Sequence, residues 1–322
     1  MKLIITGAAG FIGSNLTDKL LADGHQVIGI DNFSHGFERN ISAFRKNKNF
    51  HFVEGDLRDP SILSGLSADV VVHLASQKIP RYTNALITLE DNSRMIKNIV
   101  SKCVNDKSKI VFASTSDVYG KNPNVPYNEE SDLVLGKTSV KRWAYAVSKI
   151  YSEHYLVANH DESGLNYTIA RFFGSYGYNQ NLTWWGGPQS VFINQSLKDL
   201  PIEIHGDGKQ TRTFTFVKDT VDGLSRCIFD SNAVNQVFNI AAEPGEEISI
   251  LELGKLIWRL VRGERSEPKI NFIPYASFGN YEDVMRRVPD ISKIKSLLGY
   301  QPRYSLKEGL IETIKWQSEL NV

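Results

Sequence analysis

Tyr145 and Lys149 stand four residues apart in Y-A-V-S-K, and Thr115 supplies a hydroxyl in S-T-S-D-V-Y-G. On a helix, positions i and i+4 share one face, so the Lys149 ammonium is expected near the Tyr145 hydroxyl. Tyrosine ordinarily titrates near 10, and bringing it to about 7 takes roughly 4 kcal/mol of preferential stabilisation of the phenolate, which a neighbouring ammonium and a positively charged cofactor ring together can supply. Such a phenolate takes the proton of an alcohol while hydride leaves the same carbon for a redox cofactor. Two residues after Thr115 comes Asp117, next to Ser116. It is either a second proton-transfer group or the cap of a turn. A lone Y-x-x-x-K arises by chance in many helices, so the chemistry requires a cofactor site elsewhere in the chain.

T-G-A-A-G-F-I-G, at residues 6–13, provides one. Gly7, Gly10 and Gly13 fit a tight turn, a close approach to a pyrophosphate and helix packing on a strand, and the helix N-terminus offers N–H groups to phosphate. Asp31 follows Gly13 by 18 residues and ends the next apolar run. There a carboxylate accepts hydrogen bonds from a ribose 2′-hydroxyl and repels a 2′-phosphate, which favours NAD over NADP. Phe11, Ile12, Asn32, Leu57, Leu74 and Ala75 are expected to complete the cofactor lining, together with Lys149. Asp56, in G-D-L-R-D, faces the adenine or serves a turn.

The elements that must position these groups are legible in the apolar pattern. Runs at 2–6, 26–30, 49–54, 70–74, 109–114 and 167–171 are continuously apolar, as strands buried on both faces of a parallel sheet are. Helical segments at 13–22, 89–103 and 144–160 separate some of them. This βαβ series predicts an α/β doubly wound parallel sheet over residues 1–172. Beyond Phe172 the sequence turns glycine-rich, with G-G-P at 186–188 and G-D-G at 206–208, which predicts a smaller carboxy-terminal substrate domain over 173–322. The apolar run 236–240 predicts a return to the first sheet, in a segment around 214–241, so the two domains interleave.

Composition narrows the partners. The 322 residues carry 37 Lys and Arg against 36 Asp and Glu, with no basic block, so nucleic acid and anionic membrane are not expected partners. Cys103 and Cys227 lack metal-ligand spacing and are expected in the core; no metal site is expected. The apolar run at the amino terminus is too short for a signal peptide, and no stretch of about 18 apolar residues occurs. A cytoplasmic protein is the expectation.

Taken together, T-G-x-x-G-x-x-G, H-L-A-S at 73–76, S-T-S-D-V-Y-G, Y-x-x-x-K, G-D-G-K-Q-T-R-T-F at 206–214 and D-I-S-K-I-K-S-L-L-G-Y-Q-P at 290–302 resemble the extended short-chain dehydrogenase/reductases of the nucleotide-sugar epimerase/dehydratase family. The resemblance implies a Rossmann domain holding NAD and a small α/β domain holding a nucleoside diphosphate sugar. Members oxidise C4 of the sugar, exploit the acidity the ketone confers, and return the hydride. By position, Thr115 and Tyr145 contact the sugar O4, Lys149 holds the nicotinamide ribose, and Arg212 binds the diphosphate, with Arg286 or Arg287 as a second phosphate ligand. Relatives also pair two long helices per subunit, which implies a homodimer. The chain departs from the family at R-F-F-G-S-Y-G-Y, where Gly174 replaces a usual asparagine, and at N-L-T-W-W-G-G. There Trp184 and Trp185 either wall the substrate or pack a hinge.

Asp117 decides among reactions. Family dehydratases carry an acidic or Ser-Glu pair after the threonine, and uronate decarboxylases show S-T-S-E with an R-W-x-Y-x-x-S-K helix similar to R-W-A-Y-A-V-S-K here. Many 4-epimerases carry small neutral residues. Aspartate is shorter than glutamate by one methylene, about 1.5 Å, and proton transfer needs hydrogen-bond reach. A buried uronate carboxylate demands an arginine or a cluster of donors. None lies between Phe172 and Thr211, although Arg81 is placed to reach the site. The sequence therefore ranks 4-epimerisation of a neutral hexose first, 4,6-dehydration second and uronate decarboxylation third. A non-catalytic NAD sensor is the alternative from another class; the intact Thr115, Tyr145 and Lys149 argue against it.

Overall fold

The computed structural model describes residues 1–78 and 84–320. Arg81 lies outside the described residues. Among those residues seven strands form one parallel sheet: β1 (Lys2–Thr6), β2 (Gln26–Asp31), β3 (Phe50–Glu54), β4 (Val70–His73), β5 (Lys109–Thr115), β6 (Tyr167–Phe172) and β7 (Gln236–Ile240). Their spatial order is β3-β2-β1-β4-β5-β6-β7. The central strands β1, β4, β5 and β6 bury both faces, as parallel strands under helices do, while the edge strand β3 exposes His51 and Glu54. Along β1, Leu3 and Ile5 enter one apolar cluster while Ile4 enters the other. The order reverses between β1 and β4, and ligands of such sheets bind outside the carboxyl ends of the strands at that point. Register brings the key ends together, since Thr6 pairs with Ile30 and His73, and Thr115 pairs with Phe172.

Helices α1 (Phe11–Ala22) and α5 (Val217–Phe229) pack on one side of the sheet, α2 (Ala85–Asp106) and α3 (Trp143–Ser163) on the other. The apolar pattern understates α2 at both ends. Asn84 caps it by accepting the Leu86 N–H, and Lys107 stops it in the left-handed region with φ +56°; both are polar residues that carry no period. β7 pairs with β6 in parallel from Gln236↔Thr168 to Ile240↔Phe172, so the chain does return to the first sheet. The remaining chain builds α4 (Pro188–Leu197), α6 (Ile250–Arg262), α7 (Ser292–Leu298) and α8 (Leu306–Glu319). It also makes short pairings, among them Ile202–His205 with Ile270–Ile273, and Thr211–Arg212 between Ile248–Ser249 and Arg286–Arg287. Cys103 and Cys227 are fully buried in the two apolar clusters. Among the described residues, no helix is long and apolar enough to cross a membrane.

Candidate active site

At the carboxyl ends of β1, β2, β4 and β5 lies a cavity of about 550 Å³. Its floor is backbone. Gly7 takes φ +72°, and a Cβ there would sit 3.0 Å from the Ala75 nitrogen. A Cβ at Gly13 would fall 2.1 Å from the Gly7 carbonyl oxygen, so α1 can start this close to the turn only without side chains. Gly10 heads α1 without a side-chain cap, leaving first-turn N–H groups for a ligand. Asp31 is buried at the end of β2, where its carboxylate accepts the Ala9 N–H at 2.9 Å and the Phe33 N–H at 2.8 Å. Burial raises its pKa against those two bonds. Asp56 accepts from Arg58 at 2.6 Å and from Asn32 at 3.0 Å, and the Arg58 bonds first of all hold its pKa at about 2. Phe11, Ile12, Leu57, Leu74 and Ala75 line the same space. A side-chain-free cradle at a helix start, with a carboxylate at the end of β2, fits a dinucleotide with a free ribose 2′-hydroxyl.

The catalytic candidates meet at the end of β5. Thr115 caps a single 3₁₀ turn, its Oγ1 accepting the Asp117 N–H at 3.2 Å. Tyr145 lies in the first turn of α3, its phenol facing the Thr115 and Ser76 hydroxyls. Helix α3 is pinned by Glu153, which accepts from Arg171 at 2.7 Å and from the Ser114 hydroxyl. Lys149 is 3% exposed; its Nζ donates to the Ala113 carbonyl at 2.7 Å and stands 5.8 Å from the Tyr145 ring centre. Burial brings its pKa to about 7, against the pull of Glu153. Burial, then the charge of Asp117, push the Tyr145 phenol above its ordinary value, and the opposing bonds from Thr115 and Ser76 do not offset them. Lys149 meanwhile donates its hydrogen bond to a carbonyl, and the positive nicotinamide ring of a bound NAD would add the charge that favours the phenolate.

Asp117 is no isolated turn residue. Its Oδ1 accepts from Arg287 at 2.6 Å and from Arg142 at 3.0 Å. Burial opposes its charge, but Arg287, Arg142 and Arg212 outweigh that and hold its pKa far below the usual carboxylate range. Arg142 also donates to Asp283 at 2.8 Å, and Arg212 reaches the same oxygen at 2.9 Å. Burial and then Arg287 lower the Arg212 pKa to about 10. Arg287 donates to the Ser116 hydroxyl at 3.4 Å, while its buried Nε meets no partner among the described residues. Arg286 instead turns outward to Glu247 at 2.8 Å, because successive strand residues face opposite ways. Lys78 lines the cavity as well, and the pull of Asp117 only partly offsets the lowering of its pKa by burial.

The sequence therefore missed Arg142, Asp283 and Lys78. Arg142 stood inside R-W-A-Y-A-V-S-K and carried a signal; Asp283 and Lys78 carried none. The lack of arginine in 173–210 does not leave the cavity without it, since Arg142, Arg212 and Arg287 converge from three segments outside that stretch. Gly174 takes φ +49°, and a Cβ there would lie 2.8 Å from the Phe214 ring, so the position takes no larger residue. Trp184 and Trp185 both line the cavity, stacked on His205 and His35 at ring-centre distances of 4.1 and 3.8 Å.

Residues 3–241 match the model of the NAD dependent epimerase/dehydratase family. The chain belongs to that family. It is an NAD-dependent enzyme of the extended short-chain dehydrogenase/reductase type. It is 34% identical to a UDP-N-acetyl-alpha-D-glucosaminuronate decarboxylase of Bacillus cytotoxicus, over 99% of this chain and 98% of that one. It is 35% identical to UDP-glucuronic acid decarboxylase 1 of Danio rerio, over 98% of this chain and 72% of that one. Among solved structures, the UDP-glucuronic acid 4-epimerase of Bacillus cereus, in complex with UDP-glucuronic acid and NAD, superposes with a TM-score of 0.88 at 28% identity, covering 99% of this chain and all of that one.

Proposed function

We propose that the enzyme decarboxylates a nucleoside diphosphate uronic acid through a 4-keto intermediate. The observation that carries this is the Asp117 carboxylate clamped between Arg287 and Arg142 beside Thr115 and Tyr145. A carboxylate whose pKa is so depressed is a poor base for the C5 proton, which speaks against 4,6-dehydration. The same guanidinium groups can dock an anionic C6 carboxylate, and the likeness to two UDP-uronate decarboxylases supports that substrate class. NAD, when bound, accepts the C4 hydride and returns it.

Tyr145, whose phenolate the positive ring of bound NAD would favour beside the Lys149 ammonium, takes the O4 proton as the ketone forms, and burial then stabilises the resulting phenol. The substrate is now a β-keto acid. Its C5–C6 bond breaks, carbon dioxide leaves, and the electron pair moves to O4, where the Thr115 and Tyr145 hydroxyls donate to the developing enolate. Asp117, fixed as an anion, disfavours charge on C6 and favours its movement to O4. C5 then takes a proton from a donor other than Tyr145; Ser116, hydrogen-bonded by Arg287, is our candidate. Hydride and the Tyr145 proton return to C4 and O4.

Incubation with UDP-glucuronic acid, UDP-N-acetylglucosaminuronic acid and UDP-glucose, followed by mass measurement, tests this. Loss of carbon dioxide from a uronate is expected. A new isomer of unchanged mass would make the enzyme a 4-epimerase, as its superposition on a uronate epimerase also allows, and loss of water would make it a dehydratase. The working unit is proposed to be a homodimer through α2 and α3, which expose Leu86, Ile87, Val147 and Val157. Light scattering at micromolar concentration that shows a monomer would refute it.

A further inference from the structure

The loop 179–187 brings two indoles to the cavity lining, each stacked on a different histidine. It opens at Asn179, with φ +64°, and closes at Gly187, with φ +104°. Within it Asn181 Oδ1 accepts the Thr183 N–H at 3.0 Å and the Thr183 hydroxyl at 2.7 Å. Thr183 Oγ1 accepts the Trp185 N–H at 3.2 Å, and the Gly186 N–H donates to the Thr183 carbonyl at 2.8 Å. A Cβ at Gly186 would fall 1.8 Å from the Asn181 carbonyl oxygen, so the turn is wound tightly and both rings are held out from it. Trp184 stacks on His205, in the carboxy-terminal part of the chain. Trp185 stacks on His35 with ring centres 3.8 Å apart and planes 23° from parallel.

His35 sits on segment 31–36, whose first residue is the ribose carboxylate Asp31. The next residue, Gly36, lies against Ala9: a Cβ on it would be 2.9 Å from the Ala9 Cβ, and the Phe37 N–H donates to the Ala9 carbonyl at 3.1 Å. The Asn40 amide bridges the Ala9 carbonyl at 2.9 Å and the Asn179 carbonyl at 3.2 Å. The glycine turn, segment 31–36 and loop 179–187 thus form one assembly around the cofactor side of the cavity, and the only aromatic stack that joins the last two among the described residues is Trp185 on His35.

We propose that the Trp185–His35 stack is a latch that retains NAD, with Trp185 acting as a positioning residue through His35. Closed, it keeps segment 31–36, and with it Asp31, in place on the cofactor; NAD leaves when the stack opens. The inference rests on the reading that hydride is taken and returned within one turnover, because only such a cycle gains from a cofactor that stays. Loop 179–187 also carries Trp184, so the latch ties cofactor retention to a loop that faces the substrate.

NAD release from loaded enzyme, followed without any sugar nucleotide by displacement into excess competing dinucleotide, tests this independently of the reaction class. Trp185→Ala and His35→Ala are expected to speed release by about two- to tenfold, the range an aromatic pair supports. Trp185→Phe, which keeps a stack, stays within about twofold of the parent, and Trp184→Ala does the same. The double variant Trp185→Ala/His35→Ala releases NAD no faster than the faster single variant, since both remove one interaction. Unchanged release in Trp185→Ala, release from Trp185→Phe as fast as from Trp185→Ala, or additive effects in the double variant would overturn the latch. A fall of more than about 5 °C in the melting temperature of cofactor-free Trp185→Ala would also overturn it, by showing that the stack serves the fold instead.

Discussion

Gly7, Gly10, Gly13 and Asp31 shape the cofactor half of the cavity from a single strand–helix–strand unit, largely through backbone. The substrate half is assembled from distant segments: Asp117 after β5, Arg142 before α3, Arg212 and Arg287 in two paired two-residue strands, and Asp283 on the loop before the second. In the first half, shape excludes side chains. In the second, largely buried ion pairs share two carboxylates, and removing one member leaves the others desolvated and unpaired. The difference teaches where sensitivity lies: the cofactor half should fail by steric intrusion, the substrate half by charge imbalance.

The largest effect belongs to the residue between the two halves. Tyr145→Phe should lower turnover by about 10² to 10⁴, the usual contribution of a general acid–base, while NAD affinity changes little. Activity above about a tenth of the parent would show that Tyr145 is not the proton carrier. Arg287→Ala comes next. It strips Asp117 of its shortest partner and the substrate of a cation, and kcat/KM for the anionic sugar nucleotide should fall by about 10². A loss confined to KM would sharpen its role to docking alone.

Lys149→Met separates stability from function. The folded pKa of Lys149 is about 7 against 10.5 for the free side chain, so the unfolded chain binds more protons between those values. The penalty of burying the ammonium is therefore full below about pH 7 and fades as pH rises towards 10.5. The cofactor-free variant should melt higher than the parent at neutral pH, by roughly 1 kcal/mol or more, and lose that advantage near pH 10, while turnover collapses. A melting difference independent of pH would contradict this. Arg286→Ala marks the small end of the scale: its pair with Glu247 is exposed, and activity and melting temperature should stay close to the parent's, which kinetics and melting together can check.

The same contrast explains what was legible in the sequence. The cofactor half could be read because its determinants are contiguous: glycines that a Cβ would block, and a carboxylate one strand later. Tyr145, Lys149 and Thr115 were legible because helix period and the end of β5 fix them. Asp283 was not, since its meeting with Arg142 and Arg212 depends on how residues 275–287 cross the cavity mouth, and no period encodes that. The surroundings of Tyr145 were beyond the sequence for the same reason. Spacing places Lys149 near the ring, but only the fold shows its ammonium donating to the Ala113 carbonyl and burial raising the phenol. The arginine argument failed by counting along one segment, 173–210, when the site draws its guanidinium groups from three others.

The central claim is that carbon dioxide leaves from C6 and a solvent-derived proton reaches C5, while the C4 hydrogen never exchanges with water. Turnover of UDP-glucuronic acid or UDP-N-acetylglucosaminuronic acid with NAD in deuterated water, with the product read by mass and proton spectra, tests it most directly. The account predicts a sugar shortened by its carboxyl group, with a single deuterium at C5 and none at C4. A uronate of unchanged carbon count that is inverted at C4 and carries no carbon-bound deuterium would contradict it, and would assign the arginine cluster to holding the carboxylate in place.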